Sequence, residues 1–266
     1  MPELPEVENV RRELENEIVG RTIRGVRVFE SRLREPVPSD FGEQIALARI
    51  TAVARRAKYL LIETSHATIV SHLGMTGSWR IEPVGFERRK HDHIAIDFED
   101  LHAAVFHDPR RFGLLALAPH QGLRGLGPEP LSAIFDGAYL KTTLAKRKSP
   151  VKVLLMDQRV VVGVGNIYAA EALFRAGILP HRAAEKVTRA QCEALAAAVK
   201  EVLTEAIAQG GSTTSDYRRV NGESGSFQNS HRVYARAGEP CVTCAAPIRQ
   251  RVLGGRSSFY CARCQR

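Results

Sequence analysis

No window of about 18 consecutive apolar residues occurs in the chain, so a membrane-spanning helix is not expected. The first residues are rich in Pro and Glu and lack the apolar core of a signal peptide, which predicts a cytoplasmic protein. Internal repeats and long low-complexity tracts are also missing. So is a dinucleotide-binding fingerprint: after Gly163 and Gly165 it needs glycine at 168, where Tyr168 stands, and the flanks do not read as a βαβ unit. Acidic residues are the minority charge, 29 against 38 Lys and Arg, which leaves the chain at +9. That sign favours polyanions, chiefly through counterion release from phosphates, although contact with a ribosome would use the same charge. What remains is enough for real cores. The 266 residues, 44% of them hydrophobic, allow one large or two medium domains and a small module.

Cysteine is scarce but ordered. Four of the five form two CxxC pairs, Cys241 with Cys244 and Cys261 with Cys264, separated by 16 residues. This is the spacing of a tetrahedral four-cysteine zinc site. Two disulfides are the alternative, and no export signal supports the oxidising compartment they need. Between the pairs, Ile248–Leu253 and Arg256–Tyr260 read as short strands around a Gly254-Gly255 turn, with Arg256 at the tip beside Arg249 and Arg251. So short a module depends on its metal for folding energy. Cys192 lies in an alanine-rich helical stretch and is expected to be buried packing.

The opening, Met1-Pro2-Glu3-Leu4-Pro5-Glu6, carries a different chemistry. A small second residue permits removal of the initiator methionine. The new terminus would be a secondary amine followed by a carboxylate. An α-amino group with a pKa of about 7.7–8.0 is roughly a tenth unprotonated at pH 7, against about one lysine in several thousand. That difference is worth about 3 kcal/mol in free nucleophile. Pro5 suits a first helical position, Val7, Val10, Leu14 and Ile18 recur on one helix face, and Gly20 is a stop signal. Pro2 would then sit before a helix N-terminus, whose partial positive charge disfavours an ammonium.

From about 22 to 118 the chain shows short alternating runs at 22–29, 48–54, 59–63, 67–72, 93–98 and 101–106, separated by turns such as Gly74 and Gly77. The pattern predicts an antiparallel sandwich or barrel after the first helix. A Gly/Pro-rich stretch at 122–130 reads as a linker into a helical region. There Asn166 stands as helix cap or phosphate grip before a helix at 167–175, and Thr188 with Gln191 resembles a capping box. The long polar segment at 211–238 is expected to be a mobile lid over a substrate.

These features together resemble the formamidopyrimidine-DNA glycosylase family over essentially the whole chain. The resemblance rests on MPELPEVE at the start, RRAKYLL around Lys58, HLGMTG at 72–77, KHDH at 90–93 and DPRRFG at 108–113. It continues through LGPEP at 126–130, GVGNIYA at 163–169 and the terminal FYCxxCQ. It implies an α+β multidomain protein: an N-terminal β-sandwich with an N-terminal helix over 1–125, and a helix-two-turn-helix domain over 126–235 with a lesion-recognition loop near 211–235. A β-hairpin zinc finger with one structural Zn2+ would follow over 236–266. The partner implied is damaged double-stranded DNA, bound by a monomer.

The resemblance also assigns roles. Pro2 looks like the nucleophile toward C1′ of a damaged nucleoside, Glu3 like the general acid/base at the sugar, and Lys58 and Arg256 like contributors to strand cleavage. The base must leave the stack first. Met75, Arg111 and Phe112 match side chains that fill the vacated space. His91, Arg110, Arg147, Lys152 and Asn166 match phosphate-gripping positions, with arginine at 147 where lysine is common. His72 and His93 are expected to be structural hydrogen-bonders. The expected reaction is excision of 8-oxoguanine and formamidopyrimidines, then β,δ-elimination. Rival readings are an endonuclease VIII-like enzyme for oxidised pyrimidines, a non-catalytic damaged-DNA-binding protein and a zinc-ribbon structural protein. The last leaves the N-terminal motif unexplained.

Overall fold

The computed structural model describes residues 1–213 and 217–266, which divide into two units, Met1–Arg124 with Gln209–Ser226 and Gly125–Ala208 with Phe227–Arg266. The first unit opens with helix α1 (Leu4–Ile18), whose Val7, Val10, Leu14 and Ile18 are buried as one stripe. Pro5 occupies its second position rather than its first, and Gly20 ends it with φ +89°. Strand β1 (Ile23–Val28) and the short α2 (Phe41–Ile45) follow.

Two four-stranded antiparallel sheets then form. One has the order β1-β6-β7-β5, with β5 Ser78–Pro83, β6 Asp92–Phe98 and β7 His102–His107. The other has the order β2-β3-β4-β8, with β2 Ile50–Arg56, β3 Tyr59–Thr64, β4 Thr68–His72 and β8 Leu114–Leu117. Their inward residues share one core with α1 and α2, including Ile94, Phe98 and Phe106 from the first sheet and Val53, Leu60 and Ile69 from the second. Trp79 crosses between them, its Nε1 donating to Ser71 Oγ at 3.1 Å, so the indole is buried with its polar atom satisfied.

All six strand expectations are met within a few residues. Strands β5 and β8 and helix α2 were not anticipated. In β5 the alternation is masked by Arg80, Glu82 and Pro83, which pair elsewhere or lie at its end; β8 has only four residues.

The second unit packs α3 (Gly137–Leu144), α4 (Val151–Leu155), α5 (Asn166–Arg175) and α6 (Arg189–Ala208) around Tyr168, Leu173, Leu195 and Val199. The Thr188–Gln191 capping box is present, with Gln191 N–H donating to Thr188 Oγ1 at 3.2 Å and Thr188 N–H to Gln191 Oε1 at 3.1 Å. Cys192 is fully buried in α6. The hairpin of β9 (Arg249–Leu253) and β10 (Arg256–Tyr260) turns through Gly254 and Gly255, both at positive φ as a two-residue type I′ turn requires. Its Phe259 and Ile248 pack with Phe174 and Ala170 of α5. The polar segment expected as a lid is divided: Gln209–Ser226 belongs to the first unit, and the rest leads into the hairpin.

Candidate active site and nucleic-acid interface

Pro2 and Glu3 are buried immediately before α1, while Met1 is exposed. The helix is capped by Glu6, whose Oε2 accepts the Glu3 N–H at 2.7 Å. Its other oxygen accepts the Ser212 N–H at 2.7 Å, so one carboxylate joins the chain start to the loop after α6. Gly211 beside it has φ +81°, and a Cβ there would lie 2.7 Å from Glu6 Oε1. Farther along α1, Glu13 accepts the Arg219 guanidinium and the Val220 N–H, the latter at 2.7 Å. Tyr217 is buried against the same helix, its hydroxyl 3.3 Å from the Glu6 carbonyl, and burial followed by the nearby Glu6 and Glu13 charges raises its pKa. Residues 214–216 of the expected lesion loop lie outside the described residues.

Lys58 is also buried, in the β2–β3 turn after Ala57, which has φ +56°. The structure ties this turn to the start of α1. Glu8 Oε2 accepts Arg55 Nε at 3.0 Å, and Arg55 Nη1 donates to the Ala57 carbonyl at 2.9 Å. Burial alone would raise the Glu8 pKa, but hydrogen bonds from Arg12 and Arg55 and the Arg11 charge bring it below the ordinary value. Glu8 thus stays a carboxylate and holds the lysine-bearing turn in place.

Met75 lies in the turn between β4 and β5, and Arg110, Arg111 and Phe112 in the turn between β7 and β8. Arg111 and Phe112 are exposed, Phe112 at 46%, and the Arg110 guanidinium stands 4.9 Å from its ring centroid. His91, at φ +73°, faces the rings of His93 and His107 edge-on. His72 Nδ1 accepts the Gly74 N–H at 2.8 Å and His93 Nε2 meets the Asp108 carbonyl at 2.7 Å, the structural bonds expected of them. A cavity of about 510 Å³ is lined by Thr76, Trp79, Arg80, Arg110, Arg218 and Arg219, with Arg80 paired to Asp92 and Arg219 to Glu13.

The second unit carries its own basic set. Arg147 is exposed after α3, and Arg256 is exposed at the hairpin tip with Arg249 and Arg251 nearby. The four cysteine sulfurs lie within 4.8 Å of one another, with Cys241 and Cys264 at 3.8 Å and Cys244 and Cys261 at 3.5 Å. A disulfide needs about 2.05 Å, whereas sulfurs about 2.3 Å from one tetrahedral zinc are spaced by about 3.8 Å. The set therefore fits a single zinc ion.

Comparison with known proteins agrees with this arrangement. Three family profiles match: the formamidopyrimidine-DNA glycosylase N-terminal domain over residues 1–115, the formamidopyrimidine-DNA glycosylase H2TH domain over 126–218, and a zinc finger found in FPG and IleRS over 238–266. The formamidopyrimidine-DNA glycosylase of Methylococcus capsulatus is 51% identical over 271 residues, covering all of both chains. The chain belongs to the formamidopyrimidine-DNA glycosylase family. Its structure is similar to MutM (FPG) from Thermus thermophilus, with TM-score 0.88, 41% identity and coverage of 99% of this chain and 98% of that one. It is likewise similar to a mutant Lactococcus lactis FPG in complex with a Fapy-dG containing DNA, with TM-score 0.92, 33% identity and full coverage of both. The matching zinc-finger profile and the sulfur geometry make Cys241, Cys244, Cys261 and Cys264 the site of one structural zinc.

Against this family background two expectations change. Lys152, expected to grip a phosphate, is fully buried: its Nζ donates to Asn166 Oδ1 at 2.5 Å, Ser258 Oγ at 2.7 Å and the Ser257 carbonyl at 3.1 Å. It links α4 to α5 and to the hairpin strand next to Arg256. Asn166 is not the cap of α5; that place is taken by Gly165, and the asparagine oxygen serves the lysine.

Sequence reading also overlooked three acids. Glu171 on α5 is fully buried and accepts the N–H groups of Arg232, Val233 and Tyr234 at 2.9, 3.0 and 2.8 Å, fixing the chain's entry into the zinc module. Asp92 is fully buried between Arg80 and His107. Asp108 is fully buried between the largely buried turn that carries half-buried Met75 and the exposed turn that carries Arg111 and Phe112. A charged residue inside an otherwise apolar run, such as Glu171 in AAEALF, was the available signal.

Proposed function

We propose that this chain excises oxidised purines, 8-oxoguanine and formamidopyrimidines, from double-stranded DNA and then cuts the strand at the abasic site. Once Met1 is removed, the Pro2 nitrogen attacks C1′ of the extruded nucleotide and the glycosidic bond breaks, the base leaving with the proton that the Pro2 nitrogen sheds. Glu3 protonates the sugar ring oxygen as the ring opens. The resulting iminium has no N–H proton to lose, so its positive charge persists and acidifies the C2′ hydrogens. Loss of a C2′ proton expels the 3′ phosphate, and a second elimination expels the 5′ phosphate. Lys58 and Arg256 assist these proton transfers and hold the phosphates.

Met75, Arg111 and Phe112 fill the gap left by the flipped base, the arginine pairing with the orphaned cytosine. His91, Arg110 and Arg147 grip the backbone, and Asn166 does so in the orientation set by Lys152. The zinc supplies a cross-link that shapes the hairpin and takes no part at the sugar. The segments 1–125, 126–235 and 236–266 act as catalytic, DNA-gripping and zinc-hairpin modules of a cytoplasmic monomer, except that 209–226 belongs with the catalytic segment.

The observation that carries this reading is the burial of Pro2 and Glu3 at the head of α1, with the Lys58 turn braced to the same helix through Glu8 and Arg55. Borohydride reduction during reaction with an 8-oxoguanine:cytosine duplex tests it. A covalent protein–DNA adduct through Pro2 is expected from protein verified by mass to lack Met1. No adduct from such protein would favour mere binding, and faster nicking of a thymine-glycol duplex would favour the pyrimidine-specific alternative.

A further inference from the structure

The turn bearing Met75 and the turn bearing Arg111 and Phe112 are joined by one carboxyl group. Asp108 is fully buried and Thr76 nearly so, at 7% exposure. Asp108 Oδ1 accepts the Thr76 hydroxyl and, at 3.3 Å, the Arg110 N–H. Its Oδ2 accepts the Gly113 N–H at 2.7 Å. Thr76 Oγ1 in turn accepts the Arg110 N–H at 3.2 Å, so the hydroxyl belongs to both turns. The backbone of residue 108 is itself held: its carbonyl receives His93 Nε2 at 2.7 Å and the Arg111 N–H at 3.2 Å, and its N–H donates to the His91 carbonyl at 3.1 Å.

The two turns also touch directly. Gly74 has φ +61°, and a Cβ there would lie 2.3 Å from the carbonyl carbon and oxygen of Phe112. Gly113 leaves no room either, since its Cβ would lie 2.9 Å from Asp108 Oδ2. Arg111 is at φ +57°, a conformation unfavourable for an L-residue that persists only where its surroundings impose it.

Among the described residues no cation pairs with Asp108; only a hydroxyl and backbone N–H groups satisfy it. Burying a carboxyl group this way is expensive when the sole return is stability. Its donors come from two separate turns, one carrying half-buried Met75 and the other exposed Arg111 and Phe112. We propose that Asp108, acting through Thr76, is a positioning residue that makes the two turns one rigid wedge. Met75, Arg111 and Phe112 then enter the duplex in a single register. This rests on the reading of those three side chains as void-fillers, and the test separates the two.

The probe is an 8-oxoguanine duplex with 2-aminopurine beside the lesion, whose fluorescence rises when its stacking is lost, mixed with full-length protein lacking Met1. Thr76→Val keeps shape but removes the hydroxyl, Thr76→Ser restores it, and Asp108→Asn leaves one acceptor oxygen for donors that come from both turns, so either the Gly113 N–H or the Arg110 N–H loses its acceptor. Thr76→Val should slow the fluorescence phase about tenfold, as for loss of one hydrogen bond to a charged group. Thr76→Ser should remain within about twofold, a gap well below one such bond. The double variant Met75→Ala/Thr76→Val should be slowed by less than the product of the two single effects, since both act through the same wedge.

If Met75→Ala and Phe112→Ala slow the phase but Thr76→Val and Asp108→Asn leave it unchanged at an unaltered melting temperature, the positioning role is wrong and the void-filling reading stands. If Met75→Ala and Phe112→Ala are themselves without effect, the void-filling reading fails and takes this inference with it. Should Asp108→Asn not fold, Thr76→Val alone decides.

Discussion

At the scale of single residues, burial reassigns charges that sequence alone would place at the surface. His72 lies behind the Met75 turn, where burial, then the Arg34 and Lys58 charges, push its pKa down to about 4. Its Nδ1 accepts the Gly74 N–H, so protonation would set a donor against a donor. The folded-state pKa lies below the ordinary 6.5, so the neutral ring contributes stability that is full above pH 6.5. That stability is lost as pH falls from 6.5 toward 4 and amounts to about 3 kcal/mol. Urea midpoints measured between pH 7 and 4.5 should fall accordingly, and His72→Asn, which offers an acceptor but cannot titrate, should flatten the curve. An unchanged slope in that variant would assign the titration to another group. Lys152 makes the complementary case. Replacing a lysine that touches DNA lowers the log–log salt slope of binding by about one. Lys152→Met should leave that slope unchanged while lowering the melting temperature, because it strands Asn166 Oδ1, Ser257 O and Ser258 Oγ.

At the scale of elements, the legible parts were those whose pattern is local. The stripe of Val7, Val10, Leu14 and Ile18 gave α1, and paired glycines between β-rich runs gave the hairpin with its Arg256 tip. The CxxC spacing alone identifies the four zinc ligands. What escaped notice depends on partners far along the chain. Nothing local in Glu171 says that its carboxylate caps 232–234, some sixty residues on. Nothing local in Lys152 says that it points inward to Ser258. Glu171→Gln should expose the consequence, because an amide has one acceptor oxygen where the carboxylate offers two, and one backbone donor is left facing an NH2. A loss of about 1–3 kcal/mol is expected. It should appear as faster zinc release to a chromogenic chelator and faster hydrogen exchange at 232–234, with the sandwich amides unaffected. Equal acceleration in both units would contradict so local a role.

At the scale of the whole molecule, each unit keeps a core of its own, and the metal serves only one of them. The sandwich core draws on α1, α2 and both sheets, whereas the zinc hairpin packs Ile248 and Phe259 on Ala170 and Phe174 of α5. Removing zinc takes away the cross-link that a two-stranded hairpin needs to persist in water. It should therefore disorder Arg249, Arg251 and Arg256 and loosen α5, while near-ultraviolet signals from Trp79, buried between the two sheets, stay intact. Duplex binding should weaken and its dependence on salt should become shallower, since fewer phosphates are neutralised by the protein that remains ordered. The two effects must occur together: weaker binding with an unchanged salt slope would mean that the hairpin arginines carry no phosphate contacts. Loss of the Trp79 signal along with the metal would mean that the two units fold as one. A chelator titration followed by tryptophan circular dichroism and by DNA affinity at several salt concentrations distinguishes these outcomes in a single preparation.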